Sequence, residues 1–457
     1  LAVEVIAIRL AIPVVGSSMT LTGVMLGVVL LALSAGYWRG GELSARWDRN
    51  KTRAVLSRNL LFAAILYGAV SFPFEASLIE KLLDAGLSLS WSIGLAASLL
   101  FIPPIYLASQ TVPMLAELTN DDGKAGKASG KVLFFSTIGS VAGGIVTPVW
   151  LFPSIGVAHS TFAICGLLAA AALVMGFGQF RPIKAIGAGV AGLLLVIAAA
   201  ALAAPSGDLF YFDSAYQTIR IVEEKEEGPA ERIMMAGGGR ASGIYVDTGK
   251  TSFAYTRLGA KLVEDTGAKN VLVVGAAGFT LPRDAAAMPL VRHVDAVDVD
   301  PAVKDIAESQ FLKQSLPEKI RFVPLSARYA MHKLHAEGAY YDFAFIDAYF
   351  GRGIPEELAT VEFLADVRRI SSRTAANVIM DRSLKSEFAR NLLTSFRQVF
   401  GQVWVTNVKP GESELSNMML TSWQVPLSVE WNGAGRAYRD DNNTADRDRV
   451  RLMWDND

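Results

Sequence analysis

Three short stretches hold the residues whose types and spacing suit chemistry. The first is Gly275-Ala276-Ala277-Gly278-Phe279-Thr280, which follows the apolar run 271–274. A glycine turn between a buried strand and a helix lets a ligand approach the backbone at a helix N-terminus. It serves equally as a plain tight turn. The second is Asp298-Val299-Asp300-Pro301. An acid about 20 residues beyond a glycine turn can accept both hydroxyls of a ribose. The two aspartates share a strand face, because side chains alternate with a period of two. Asp300 suits a helix cap better, since Pro301 favours the first helical position. That leaves Asp298 as the ribose ligand. The third is Asp347, which closes the run 341–347. A carboxylate at the carboxyl end of a strand faces the crevice of an open α/β sheet. There it acts as a base or as the partner of a cation, or it is a solvated loop residue.

These residues need a frame of strands and helices. Runs 216–223 and 232–236 read as strands with glycine-rich turns. Runs 270–274, 294–299, 320–324 and 343–347 read as four further strands separated by helical stretches. Such alternation predicts a mainly parallel sheet with helices on both faces. The soluble half is thus expected to be an α/β Rossmann-like domain of methyltransferase type over 266–435, after a small β-rich subdomain over 205–265.

The other half differs in kind. Of the 457 residues 51% are hydrophobic and only 19% charged, too apolar for a soluble enzyme of this length. Mean hydropathy is +0.33. Apolar runs fill residues 1–204, and the boundary lies at Pro205-Ser206-Gly207-Asp208. A bilayer core needs roughly 20 apolar residues of helix. Candidate spans are 1–15, 21–38, 59–74, 89–108, 132–152, 157–177 and 186–204, a multi-pass α-helical membrane bundle. The chain opens at Leu1 inside the first apolar run, so that span is expected to be truncated. Gly139, Gly143 and Gly144 suit close helix contact in lipid. Pro103-Pro104 suits a kink. Cations cluster after the second span (Arg39, Arg46, Arg49, Lys51, Arg53, Arg58), after the fourth (Lys124, Lys127, Lys131) and after the sixth (Arg181, Lys184). The positive-inside rule makes those loops cytoplasmic. If the run 186–204 crosses fully, seven crossings put the soluble domain outside a bacterial-type inner membrane.

Composition excludes several classes. A net charge of −1 gives no field for nucleic acid. Cys165 is the single cysteine, so no internal disulfide forms. Four histidines, with His332 and His335 on one helix face, lack companion ligands, and no metal is expected. Glu4 and Arg9 are ionisable groups at or near the membrane, a place where charge is either paired or functional. Residues 436–457 mix Asp, Asn and Arg and read as a solvated or disordered polar tail.

The ordered set of motifs resembles the spermidine synthase (polyamine aminopropyltransferase) family. Ser214-Ala215-Tyr216-Gln217-Thr218-Ile219 looks like its SxYQ strand motif. The runs 271–275, 297–301, 341–347 and 354–363 follow in the family's order. The apolar half resembles the membrane part of a fused, transporter-like group of that family. Glu4 with Arg9, Gly36-Tyr37-Trp38-Arg39-Gly40-Gly41 and Ser136-Thr137-Ile138-Gly139-Ser140 carry that likeness. The resemblance implies that Gln217, Tyr255, Gly275, Gly278, Asp298 and Ser326 hold a nucleoside sulfonium. That ligand is S-adenosylmethionine, its decarboxylated form, or the thioether product. It implies Asp347 as the catalytic carboxylate and Tyr216, Arg257 and Tyr349 beside the substrate, with no metal.

Departures from the pattern bear on the reaction. Gly278 replaces an Asp that grips the aminopropyl amine. Phe350 replaces an Asp that binds the acceptor, Thr256 and Arg257 replace a His and a Glu, and Ser326 replaces an adenine-binding Asp. A dicationic acceptor needs carboxylates, so authentic spermidine synthesis is not what these positions favour. Arg257 suits a carboxylate such as that of intact S-adenosylmethionine. The expected activity is an aminopropyltransferase-like transfer to an amine. The alternatives are a methyltransferase or lyase, and a sensor or transporter that binds without turnover. Expected partners are a small-molecule substrate, the lipid bilayer and a second copy in a homodimer.

Overall fold

The computed structural model describes residues 1–15, 19–70, 78–79, 81–83, 85–120, 123–176, 208–225, 228–348, 354–408 and 414–454. The chain divides into two compact units, one reaching Ser206 and one running from Gly207 to Asp457.

The first unit is helical: Ala2–Val15, Met19–Ser44, Arg49–Val70, Leu89–Ser109, Thr111–Leu118, Ala125–Val146 and Phe152–Gly176. Among the described residues three stretches are long and apolar enough to cross a membrane, Thr20–Ser44, Ser90–Leu118 and Ala125–Gly176. The last includes the expected span 132–152 and, as far as Gly176, the expected span 157–177. Gly156 interrupts it at a φ of 78°, where a turn between the two is expected. The expected first span is a 14-residue helix. The expected third falls in a helix whose first turns carry Arg49, Lys51, Arg53 and Arg58. Span 186–204, with Arg181 and Lys184, lies outside the described residues.

Glycine contact follows expectation at two of three positions. Gly143 sits against Ala2 and Gly144 against Leu1, while Gly139 has nothing near the place of a side chain. The tight approach is at Gly36 and Gly40. A Cβ would lie 1.7 Å from Ser109 Oγ at the first and 2.8 Å from Pro113 Cγ at the second. Two small residues four apart let helices close on each other. Polar groups add to the packing: Asn59 donates to Gln110 (2.9 Å) and Ser57 to the Ala172 carbonyl (2.6 Å), both buried. Glu4 and Arg9 are also buried.

The second unit has two sheets. The small one is an antiparallel meander, β1 (Phe210–Asp213), β2 (Thr218–Glu224), β3 (Glu231–Ala236) and β4 (Gly239–Tyr245). The large one contains β5 (Asn270–Val274), β6 (His293–Asp298), β7 (Ile320–Pro324), β8 (Tyr341–Ile346), β9 (Ser371–Asp381), β10 (Trp404–Asn407), β11 (Leu415–Thr421) and β12 (Val429–Glu430). Its order is β12-β10-β11-β9-β8-β5-β6-β7. Strands β5 to β9 run parallel, and β10 to β12 pair antiparallel beside them. The continuous apolar runs of β5 and β8 reflect burial on both faces. One face packs on the helices Ala254–Thr266 and Thr280–Ala286 through Leu262, Leu281 and Phe345. The other packs on Ala327–Ala336, Val361–Arg369 and Glu387–Phe400 through Met331, Phe363 and Phe396.

The tail corrects an expectation. Residues 436–454 are not a loose end. Tyr438 and Asp448 are buried, and Tyr438 Oη donates to Asp448 (3.0 Å). Arg328 grips Asp440 (2.6 Å), and residues 445–454 form a helix. The charges that suggested a solvated end pair with the domain instead.

Candidate functional site

Strand order places the site. The chain leaves β5 toward β6 on one side and later returns to β8 on the other, so the order reverses between β5 and β8. Ligands of open α/β sheets bind at such a switch point, beyond the carboxyl ends of the strands. Gly275 follows β5 and Asp347 follows β8, side by side. The Asp347 N–H donates to the Val274 carbonyl (2.8 Å). Gly275 has a φ of +97°, and a Cβ there would lie 2.2 Å from the Asp347 carbonyl oxygen. Only glycine fits that approach.

The turn beyond Gly275 is held under strain. Ala277 (φ 41°) and Phe279 (φ 56°) both occupy the left-handed region that side chains disfavour. Asp298 provides part of the restraint. Its Oδ2 accepts from the N–H groups of Ala276 (3.2 Å) and Ala277 (3.1 Å), and its Oδ1 accepts from Asp300 (3.1 Å). Desolvation raises the Asp298 carboxyl to about 6 despite these donors. Asp300 caps the following helix by accepting from Ala302 (3.1 Å) and takes a hydrogen bond from Ser214 (2.6 Å). Gly278 meets the small sheet: its N–H donates to Ser242 Oγ (3.1 Å). A Cβ at 278 would lie 2.6 Å from Phe311 and 2.7 Å from Ser242.

Asp347 is the carboxylate at the centre. Asn377 Nδ2 donates to its Oδ1 (2.8 Å), and the Tyr255 hydroxyl also hydrogen-bonds to it. Desolvation still pushes the carboxyl up to about 7. The crevice around it is lined by Ser242, Tyr255, Gly275, Ala277, Thr280 and Asp347, among others. A partly accessible carboxylate that titrates near neutrality can take up a proton at working pH.

Tyr255, Gly275 and Asp347 thus come together, with Asp298 and Gly278 bracing the loop beside them. Gln217 is buried in the turn between β1 and β2, where its backbone N–H donates to Ser214 Oγ (2.9 Å). Tyr216, next to it, is exposed. Ser326 is an exposed residue at the start of the Ala327–Ala336 helix and does not line the crevice. Arg257 is exposed, with its guanidinium on the carbonyls of Thr251 and Ser252 rather than in the crevice. Tyr349 and Phe350 lie outside the described residues. His332 and His335 are exposed, and no metal-ligand cluster occurs among the described residues. Sequence reasoning missed Asn377 and Ser242. A polar residue inside the apolar run Ala375-Ala376-Asn377-Val378-Ile379-Met380 is a usable signal, because buried amides have partners.

Residues 245–351 match the O-methyltransferase family. A polyamine aminopropyltransferase of Vibrio vulnificus (strain CMCP6) is 31% identical over 153 residues, 33% of this chain and 50% of that protein. The chain therefore spans about half the length of that relative. Solved structures with a related arrangement include a probable spermidine synthase from Corynebacterium glutamicum ATCC 13032. It shows 19% identity and a TM-score of 0.39, covering 48% of this chain and 80% of that one. A spermidine synthase in complex with the transition-state analogue AdoDATO shows 15% identity and a TM-score of 0.37, covering 51% and 83%. The spermidine synthase from Thermotoga maritima shows 16% identity and a TM-score of 0.38, covering 51% and 82%. The second unit is a methyltransferase-like α/β domain similar in sequence to a polyamine aminopropyltransferase.

Proposed function

We propose that the protein is a membrane-integrated transferase that moves a carbon group from a nucleoside sulfonium to an amine. The observation that carries this reading is the Asp347 carboxylate, poised near neutrality at the switch point of the sheet. The donor is S-adenosylmethionine or its decarboxylated form. The amine nitrogen attacks the carbon next to sulfur, and the carbon–sulfur bond breaks. Its electron pair stays on sulfur as a neutral thioether. The nitrogen then releases its proton to Asp347. The sulfonium is a good leaving group, so orientation and proton removal are what the protein adds. In this reading Asp298 accepts from a ribose hydroxyl through Oδ1, which takes only the Asp300 N–H and keeps a second lone pair, whereas Ala276 and Ala277 engage both lone pairs of Oδ2. The membrane part of the reading rests on three long apolar stretches and on large outward side chains such as Phe135, Val149, Trp150 and Leu167. Tyr216, Gln217, Tyr349 and a homodimeric assembly stay as expectations from the resemblance.

A specific observation favours methyl transfer as the second reading. Gly278, Ser242 and Phe311 pack where a carboxylate would meet an aminopropyl cation, and the O-methyltransferase match covers that loop. Incubation of the purified protein with either sulfonium, with and without amines, separates the readings by product mass. Methylthioadenosine formed only with an amine supports aminopropyl transfer, and without one it indicates a lyase. Adenosylhomocysteine indicates methyl transfer. Binding of either donor with no product of any kind would overturn the enzymatic reading.

A further inference from the structure

We propose that Asn377 is a positioning residue whose side-chain amide holds Oδ1 of Asp347 and thereby makes Oδ2 the oxygen that takes the substrate proton. The proposal rests on the reading of Asp347 as the base. Asn377 comes from β9, the neighbour of β8, where Ile346 pairs with Ala376. The next residues along, Asp347 and Asn377, therefore stand abreast, and Nδ2 reaches Oδ1 at 2.8 Å. Met419 of β11 flanks Asn377 on its other side, so the residue is held in the middle of the sheet. It is buried, in a run that is otherwise apolar.

The two donors on Asp347 differ in kind. A tyrosine hydroxyl has one proton to give, whereas an amide nitrogen has two and keeps them at every working pH. Tyr255 is shared: its hydroxyl donates to the Ala241 carbonyl (3.1 Å) and also hydrogen-bonds to Asp347. With two acceptors in reach, such a hydroxyl can turn its proton to Asp347 when the carboxylate is ionised and to Ala241 when the carboxyl is protonated. Asn377 stays a donor in both states. A lone pair engaged by that amide is less available to a proton, so Oδ2 is the more basic oxygen. Burial, Asn377 and Tyr255 are the influences on Asp347, and no charged side chain among the described residues is one of them. The elements around it supply Tyr255 from the Ala254–Thr266 helix, uncharged residues from the glycine turn and Asn377 from β9. A neutral donor orients the carboxylate without depressing it as an arginine would. That combination suits a base working near pH 7.

The test uses full-length protein in lipid nanodiscs and titrates the Asp347 carboxyl by difference infrared spectroscopy. Asp347→Asn identifies its band. Asn377→Leu removes the donor to the ionised form, and the titration should move up by roughly one to two pH units. Asn377→Asp keeps the size and sets a second carboxylate beside the first, so the pair should hold its last proton to a higher pH than in Asn377→Leu. The acidic limb of kcat/KM should move with the titration, while KM for the sulfonium stays unchanged. An Asp347 band that titrates as in the parent in both variants would overturn the proposal. If Asn377→Leu does not fold, the Asp variant decides. The readout needs no turnover. A shifted band in a protein that processes no sulfonium upholds the positioning role and sinks the proposed activity.

Discussion

At the scale of single residues the proposed function turns on two carboxylates with different tasks. Asp347→Asn keeps the shape of the side chain and removes the base. A general base contributes about 10²–10⁴-fold in rate, so kcat should fall by that range while sulfonium binding persists. Steady-state kinetics with parallel calorimetry checks this, and a native rate in the variant would end the role. The parent has its own pH signature. Asp347 accepts a proton only when ionised, so kcat/KM should rise with pH through about 7 and fall away below it. Its folded value lies above the ordinary carboxylate range. The ionised group is therefore a cost to the fold, present in full above about pH 7 and relieved as pH falls. Asp298 should report through binding instead. Asp298→Asn should weaken calorimetric binding of methylthioadenosine by about 1–3 kcal/mol. In the parent, affinity should drop as pH falls through about 6, where the carboxylate takes up its proton. Affinity that is flat from pH 5 to pH 8 would remove Asp298 from the ligand site.

At the scale of elements the glycine turn is the part least tolerant of change. Gly275→Ala adds a Cβ 2.2 Å from a backbone oxygen in a left-handed conformation. Neither atom is on a flexible side chain, so β5 and β8 must move apart. Changes of that kind cost roughly 2 kcal/mol or more. Thermal melting should show a clear drop, and an unchanged melting curve would mean that the loop has room not seen in the structure. This turn was legible in the sequence, because a short apolar run followed by glycines marks a strand feeding a helix. Asp347 was legible for the same reason, as the polar end of an apolar run. Asn377 was not. Its meeting with Asp347 depends on β9 lying beside β8, and no local signal states that pairing. Arg257 misled in the opposite way. Its guanidinium suggested a carboxylate such as that of intact S-adenosylmethionine, but the backbone carbonyls of Thr251 and Ser252 engage it. Gly139 misled as well, since spacing alone does not say which side of a helix meets a neighbour. Gly36 and Gly40, where the approach is tightest, are distinguished only by what lies opposite, Ser109 and Pro113.

At the scale of the whole molecule the proposed membrane bundle carries a prediction about the side on which the second unit lies. Three basic loops argue that the second unit lies outside the cytoplasm if the run 186–204 crosses fully. A sulfonium donor argues for the cytoplasm. Asp441 is exposed, and the native Cys165 is buried, so Asp441→Cys gives a clean reporter. On the charge argument it should react with a membrane-impermeant maleimide in intact spheroplasts. Labelling only after lysis would show that the number of crossings is even. The order of the large sheet also has a consequence for synthesis. β5 lies in the middle of the five parallel strands, yet one of its neighbours, β8, is made well after it. Asn377 follows later, and the residues that cover the outer helices, Tyr438 and Asp448, later still. At the ribosome's pace of about 5–20 residues per second, roughly 10–35 s separate Gly275 from Asp448. Until β8 emerges β5 offers a bare edge, so the crevice between Gly275 and Asp347 cannot form before β8 is made.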